Sequence, residues 1–295
     1  MRYATALDFR RALETRLVAR SRETGVPLDW LRKQVAFDRL LARLLLNAPG
    51  NWMLKGALAL DYRLRDRART SKDMDLTHQG DEAEATERLL KATELDLGDF
   101  FTFQVARTSR LDELAGGTAT RYQLTCRLGR SVFDQATVDV AFAERLPAPD
   151  VLETPPLLGF AGIGPLRVPT LPLAIQVAEK VHAYTRQYGA SGRPSSRTKD
   201  LADLVIVATS FPIDGGELRR ALESTFSSRQ THPLPSALPE PPGEWRTDYP
   251  RVARRLGMEP DLEAAHRQAA KFIDPVLGAR SDVGRWDPTK LEWVP

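Results

Sequence analysis

The sequence holds one cysteine, Cys126, and four histidines in 295 residues. A single thiol excludes an internal disulfide and any cysteine-based zinc site. His78, His182, His232 and His266 are scattered and show no metal-ligand spacing. There is no Ser/His/Asp set to read, and no Gly-x-x-x-x-Gly-Lys-Ser/Thr loop. No apolar run approaches the roughly 20 residues needed to span a bilayer. The first thirty residues are charged throughout and lack the apolar stretch of a signal peptide. These absences predict a cytoplasmic protein with no membrane partner.

What is present is ordinary for a globular chain: 42 % hydrophobic and 27 % charged residues, enough to bury a substantial core. The net charge of +3 is weak evidence of a partner. The distribution says more. Arg63, Arg65, Arg67, Arg69 and Lys72 crowd one stretch, and Arg186, Arg193, Arg197 and Lys199 another. Any single arginine reads as solvated surface. Two clusters flanking candidate catalytic motifs favour a polyanionic substrate, with Arg193 and Arg197 as RNA contacts.

Residues 5–46 carry apolar positions at helical spacing, with a break near Gly25-Val26-Pro27. Asn51 to Gly56 reads as a short strand entering a turn, and Ala57 to Arg65 as a short helix. Thr70 to Thr77 suits a strand, and 81–95 an amphipathic helix. Strands are expected over Phe100–Ala106, Tyr122–Leu128 and Ala136–Phe142. Prolines 147, 149, 155 and 156 mark a connection. Helices follow from Leu173 to Tyr188, Arg197 to Ser210 and Leu262 to Ile273, and the proline-rich 231–243 reads as an exposed loop. The class is α+β: a small mixed sheet carrying the site, then a helical C-terminal region. The border falls within 147–168. It separates an N-terminal domain of residues 1–150 from a C-terminal region, residues 151–295, that completes the active site.

Asp73-Met74-Asp75 is the most informative triplet. On a strand, residues i and i+2 face the same way, so both carboxylates enter one site. Two such anions repel unless a cation lies between them. Mg²⁺ suits this place, since it takes one or two carboxylates plus phosphate oxygens. That platform serves in-line phosphoryl or nucleotidyl transfer from a nucleoside triphosphate. A bare Asp-x-Asp is most often exposed surface, so context decides. Upstream, Lys55-Gly56 ends an apolar segment before a helix, where backbone N–H groups and the helix dipole favour an anion. In Thr137 to Phe142, Asp139 alternates against Val138, Val140 and Phe142 and supplies a candidate third metal carboxylate; a water-facing strand residue is the plainer reading.

Lys180 lies on a helix with apolar Leu173, Val177, Val181 and Tyr184. It either snorkels to water or reaches a triphosphate as a point charge. Asp200 and Asp203 share one face of the next helix, where acidic residues also answer the dipole. His182 reads as structural.

Leu54-Lys55-Gly56-Ala57-Leu58-Ala59-Leu60 and Arg67 to Leu76 closely resemble the AbiEii family of nucleotidyltransferase toxins, which includes the MenT toxins. Asp139, the helical Ala178-Glu179-Lys180-Val181-His182-Ala183 and Arg197 to Leu204 fit that family's later motifs, in order. The resemblance implies a DNA-polymerase-β-like nucleotidyltransferase core and a toxin paired with a cognate antitoxin. It implies nucleotide transfer from NTP to RNA, such as the 3′ end of tRNA, which blocks translation. By motif position, Asp73 and Asp75 are metal ligands, Lys180 a triphosphate contact and Asp203 a further catalytic acid. Ser71 matches a nucleotide-site position that is phosphorylated in some relatives, silencing the enzyme. One departure stands out: many relatives have a second glycine and a hydroxyl in the anion turn, where this chain has Ala57 and Leu58. Nucleotide grip then rests more on Lys55, Lys72 and Lys180. Competing readings keep the fold but change the acceptor to a protein or small-molecule hydroxyl, or make the chain a non-catalytic binding module.

Overall fold

The computed structural model describes residues 1–64, 71–111, 119–187, 197–278 and 283–295. The chain divides into two compact units, Met1–Leu171 and Pro172–Pro295.

The first unit opens with two helices, α1 (Ala6–Thr24) and α2 (Leu28–Asn47). The Thr5 hydroxyl accepts from the Asp8 amide and caps α1. Gly25 ends α1 in the left-handed conformation, its N–H donating to the Ser21 carbonyl. The expected break at Gly25-Val26-Pro27 is therefore a true boundary between helices.

A seven-stranded mixed sheet follows: β1 (Trp52–Lys55), β2 (Asp73–Gln79), β3 (Phe101–Leu111), β4 (Ala119–Leu128), β5 (Ser131–Ala143), β6 (Asp150–Glu153) and β7 (Arg167–Thr170). Their spatial order is β3-β4-β5-β2-β1-β7-β6. β2 runs parallel to β5 and antiparallel to β1. Two further helices, α3 (Gly56–Leu64) and α4 (Glu82–Glu94), connect these strands.

One face of the central sheet is apolar. Met74 and Leu76 of β2 and Val138 and Val140 of β5 are fully buried there, in one core with Val35, Phe37, Leu40 and Leu44 of α2. Strand alternation then turns the polar residues of β2 and β5 to the opposite face. β6 and β7, two strands the sequence pattern did not suggest, pair with each other and with β1, which keeps residues 150–170 in this unit.

A buried ion network lies under this sheet. Arg43, with no exposed surface, donates to both carboxylate oxygens of Asp99 at 3.0 and 2.8 Å. It also donates to the carbonyls of Leu95 and Phe101, tying α2 to the α4–β3 connection.

The second unit holds α5 (Leu173–Thr185), α6 (Thr198–Ser210), α7 (Gly215–Arg229), α8 (Trp245–Arg255) and α9 (Leu262–Gly278). A three-stranded sheet of β8 (Ile213–Asp214), β9 (Arg285–Asp287) and β10 (Glu292–Val294) joins them. The region is mainly helical, as expected, with this small sheet added. The indole of Trp286 donates to the Ala208 carbonyl at 2.7 Å and holds β9 on α6.

The 231–243 segment is a largely exposed loop, as expected, with one buried anchor. Leu238 is buried, and its amide donates to the Asp274 carboxylate at 2.7 Å, so the loop is pinned to α9. Among the described residues, no helix is long and apolar enough to cross a membrane.

Candidate active site

In β2, Met74 and Leu76 are buried while Asp73 and Asp75 are half-buried between them. Burying the two apolar side chains obliges both carboxylates to face the other side of the sheet. The register extends this face sideways. Lys55 of β1 pairs with Asp75, Asp75 pairs with Asp139 of β5, and Asp139 pairs with Arg121 of β4. Cross-strand partners share a face, so Lys55, Asp75, Asp139 and Arg121 form one row across four strands.

Gly56 begins α3 with φ of +66°, a conformation that favours glycine. Asp75 lies against it: a β-carbon at this position would meet Oδ2 of Asp75 at 2.1 Å. The helix start and the second aspartate of the triplet are thus in close contact. Leu58 is buried in the core and offers the turn no polar group. Ser71 donates from its hydroxyl to the Asp73 carbonyl at 2.8 Å, which fixes the entry to β2. Lys72 is exposed.

Arg121 escaped the sequence reading. Its Nε and Nη2 donate to the two carboxylate oxygens of Asp139, each at 2.7 Å. Those hydrogen bonds hold its guanidinium more firmly protonated than usual, and the charges of Asp139, Asp73 and Asp75 add to the effect. The only sequence signal was Arg121 alternating with Thr120 and Tyr122 on a strand. The pairing of β4 with β5 that makes it a neighbour of Asp139 is a long-range fact.

The carboxylates fit a hard divalent cation in one respect. Asp73 and Asp75 supply the two-carboxylate platform that Mg²⁺ takes together with phosphate oxygens. Asp139, on the neighbouring strand β5, is the register partner of Asp75, but its carboxylate accepts from Arg121. Among the described residues, no group of three acidic, histidine or cysteine side chains is placed to hold a metal ion.

The other predicted residues lie in the second unit. Lys180 of α5 is buried and pairs with Asp203 of α6, with Asp200 at 3.6 Å. It does not snorkel to water. Asp203 is fully buried, and Arg197 donates from Nε to Asp200 at 2.7 Å while its side chain stays 46 % exposed. Two charges of each sign therefore meet between α5 and α6. Arg193 lies outside the described residues, as do Arg65, Arg67 and Arg69 of the first basic cluster. Arg63 of that cluster is turned to Asp150 and the Leu171 carbonyl, at 2.6 and 2.8 Å. His182 makes a hydrogen bond with the Thr231 hydroxyl at 2.8 Å and packs edge-on against Phe226. Burial, reinforced by Arg229, pushes its pKa down to about 4, in keeping with a structural role.

The sequence profile of the nucleotidyl transferase AbiEii toxins, of the type IV toxin–antitoxin system, matches residues 39–286. The chain belongs to the AbiEii family. No curated protein matches it in sequence. Among solved structures, it is similar to MenT4, a nucleotidyltransferase toxin of Mycobacterium tuberculosis. The two are 20 % identical, 90 % of each chain is covered, and the TM-score is 0.58. JHP933 of Helicobacter pylori is more distant, with 13 % identity, 84 % of this chain and 91 % of that one covered, and a TM-score of 0.46. The AbiEii match makes the chain a nucleotidyltransferase toxin of a toxin–antitoxin system, an NTP-using class that works with a divalent metal. The MenT4 likeness supports the fold.

Proposed function

We propose that this toxin transfers nucleotides from NTP to RNA, with the 3′ end of tRNA as acceptor, and so blocks translation in the cytoplasm. The observation that carries the reading is the placement of half-buried Asp73 and Asp75 on the face of β2 opposite buried Met74 and Leu76, with Asp75 against the glycine start of α3. When bound there, Mg²⁺ would neutralise the triphosphate and polarise the acceptor hydroxyl. The chain's own residues do the rest. Asp73 and Asp75 hold the cation. The N–H groups at the start of α3 and the Lys55 ammonium hold phosphate oxygens. By family position, Lys180 is a triphosphate contact and Asp203 a further catalytic acid. Arg193 and Arg197 supply charge for the RNA backbone, where each neutralised phosphate releases counterions.

Regulation follows from Ser71. A phosphoryl group would replace the hydroxyl that now donates to the Asp73 carbonyl and would bring about −1.5 to −2 charges beside the carboxylates. An antitoxin able to phosphorylate Ser71 would silence the enzyme on both counts. Ser71→Ala is expected to keep much of the transfer activity and to lose that sensitivity.

The test is direct. The full chain is incubated with Mg²⁺, total tRNA and each radiolabelled NTP in turn, with Asp75→Asn as control. Label at tRNA 3′ ends, removed by periodate blocking of the terminal diol, is expected. Label appearing only in protein, or none with any NTP, overturns the RNA reading.

A further inference from the structure

We propose that Arg121 is a built-in counter-ion that keeps Asp139 from the divalent cation until the nucleotide arrives and takes the guanidinium over. The inference rests on the reading of Asp73 and Asp75 as metal ligands.

The geometry is specific. Arg121 and Asp139 are cross-strand partners on β4 and β5, and two parallel N–H···O bonds join them at 2.7 Å each. This fork engages both carboxylate oxygens at once. Asp139 is in turn the register partner of Asp75 on β2. Three carboxylates thus face one side of two adjacent strands, and the guanidinium offsets one of their charges. A cation recruiting Asp139 has to compete with a charge that is already seated.

The pair is neither surface decoration nor core. The Arg121 side chain is 33 % exposed and that of Asp139 17 %. A nucleotide can therefore reach the guanidinium without unfolding the sheet. Arg121 carries five N–H donors in a rigid fork, and the pair with Asp139 uses two of them. The planar fork matches phosphate as well as carboxylate. A triphosphate bringing its own cation offers Arg121 an anion of higher charge and offers Asp139 a metal. Both exchanges are then favourable together, and neither is favourable alone. The consequence is linkage: nucleotide tightens metal binding, and metal tightens nucleotide binding by the same factor. The metal-free toxin would hold a bare cation weakly.

The opposing possibility is that Arg121 only staples β4 to β5 and never releases Asp139. Mn²⁺ titration of the full chain, followed by the electron paramagnetic resonance of free Mn²⁺, separates the two. Without nucleotide, Arg121→Gln is expected to bind Mn²⁺ at least about tenfold more tightly than wild type, the scale on which a neighbouring charge shifts a carboxylate's proton affinity. With a non-hydrolysable triphosphate analogue present, that advantage is expected to vanish, and the variant's affinity for the analogue to fall. Arg121→Lys, whose ammonium cannot span both oxygens, is expected to lie between. Mn²⁺ affinity in either folded variant equal to or below wild type, without nucleotide, overturns the proposal. If Arg121→Gln fails to fold, Arg121→Lys decides by the same criterion. Wild type that binds no Mn²⁺ even with the analogue would instead sink the metal reading of Asp73 and Asp75, and this inference with it. Loss of Mn²⁺ binding in Asp75→Asn, with Arg121→Gln unchanged from wild type, would leave that reading standing and remove only the counter-ion.

Discussion

A β-carbon on Gly56 would lie 2.1 Å from Oδ2 of Asp75. The first residue of α3 and the second carboxylate of the β2 triplet thus occupy adjoining space, and no side chain fits between them. Gly56→Ala would have to displace the carboxylate and also hold alanine at φ of +66°. The backbone cost is about 1–2 kcal/mol. The displacement matters more, because an ångström of misplacement at a reacting centre costs about a hundredfold in rate. The expected outcome is a modest fall in Tm with transfer reduced about a hundredfold or more. Thermal melting and labelled-nucleotide incorporation check the two together. Wild-type transfer by the variant would mean that the position of Asp75 is not critical.

Asp75→Asn changes charge while keeping shape, so the contact with Gly56 survives. An amide is a poor ligand for Mg²⁺, and transfer is expected to fall to background. Removing one of several like charges relieves repulsion in the metal-free protein, so Tm is expected to hold or rise. Activity near wild type would refute the ligand role, and a large drop in Tm would show that the carboxylate is structural.

Much of this site was legible in the sequence. Asp73-Met74-Asp75 announced its geometry because strand alternation is local, and Gly56 announced a turn because few other residues tolerate one there. The class and the helical second region followed from periodicity. Arg121 was not legible, since nothing near it in sequence places it opposite Asp139. The same holds for Arg43 and Asp99, whose buried pair joins residues far apart in the chain. Short β6 and β7 lacked enough length to show a period, and Leu238 was hidden among prolines that suggested an exposed loop. In each case the deciding partner is non-local.

Lys180 and Asp203 form a buried pair between α5 and α6, and this allows catalytic and structural roles to be separated. Removing either partner alone unbalances the buried charge cluster that Asp200 and Arg197 complete, at a cost of up to about 3–5 kcal/mol. Lys180→Met and Asp203→Leu are each expected to destabilise strongly. The double variant removes both charges and is expected to recover much of that loss, because apolar residues of similar size can replace a buried pair. If the pair serves catalysis, the double variant will be folded and inactive. Urea unfolding and nucleotide incorporation measured on the same preparations decide it. A stable double variant that transfers nucleotides normally would make the pair a strut.

His182 gives the second unit a defined response to acid. Burial lowers its pKa first, and the nearby charges of Arg229, His232 and Arg186 lower it further, to about 4. His232, whose ring lies 4.7 Å away, is shifted in the same direction. A folded-state pKa below the unfolded value of 6.5 means that the unfolded chain binds the proton first. The contribution of neutral His182 is therefore fully present above pH 6.5, is lost as pH falls toward 4, and changes no further below that. At 1.36 kcal/mol per pKa unit, roughly 3 kcal/mol is at stake in that window. His182→Gln keeps a polar group near the Thr231 hydroxyl but has no proton to bind. Its stability is expected to be lower than wild type at pH 7, with the gap narrowing as the pH approaches 4. Urea midpoints for both proteins at half-unit intervals from pH 7 to 4 provide the measurement. A constant gap across the range would show that His182 does not titrate there, and the acid sensitivity would have to come from other groups.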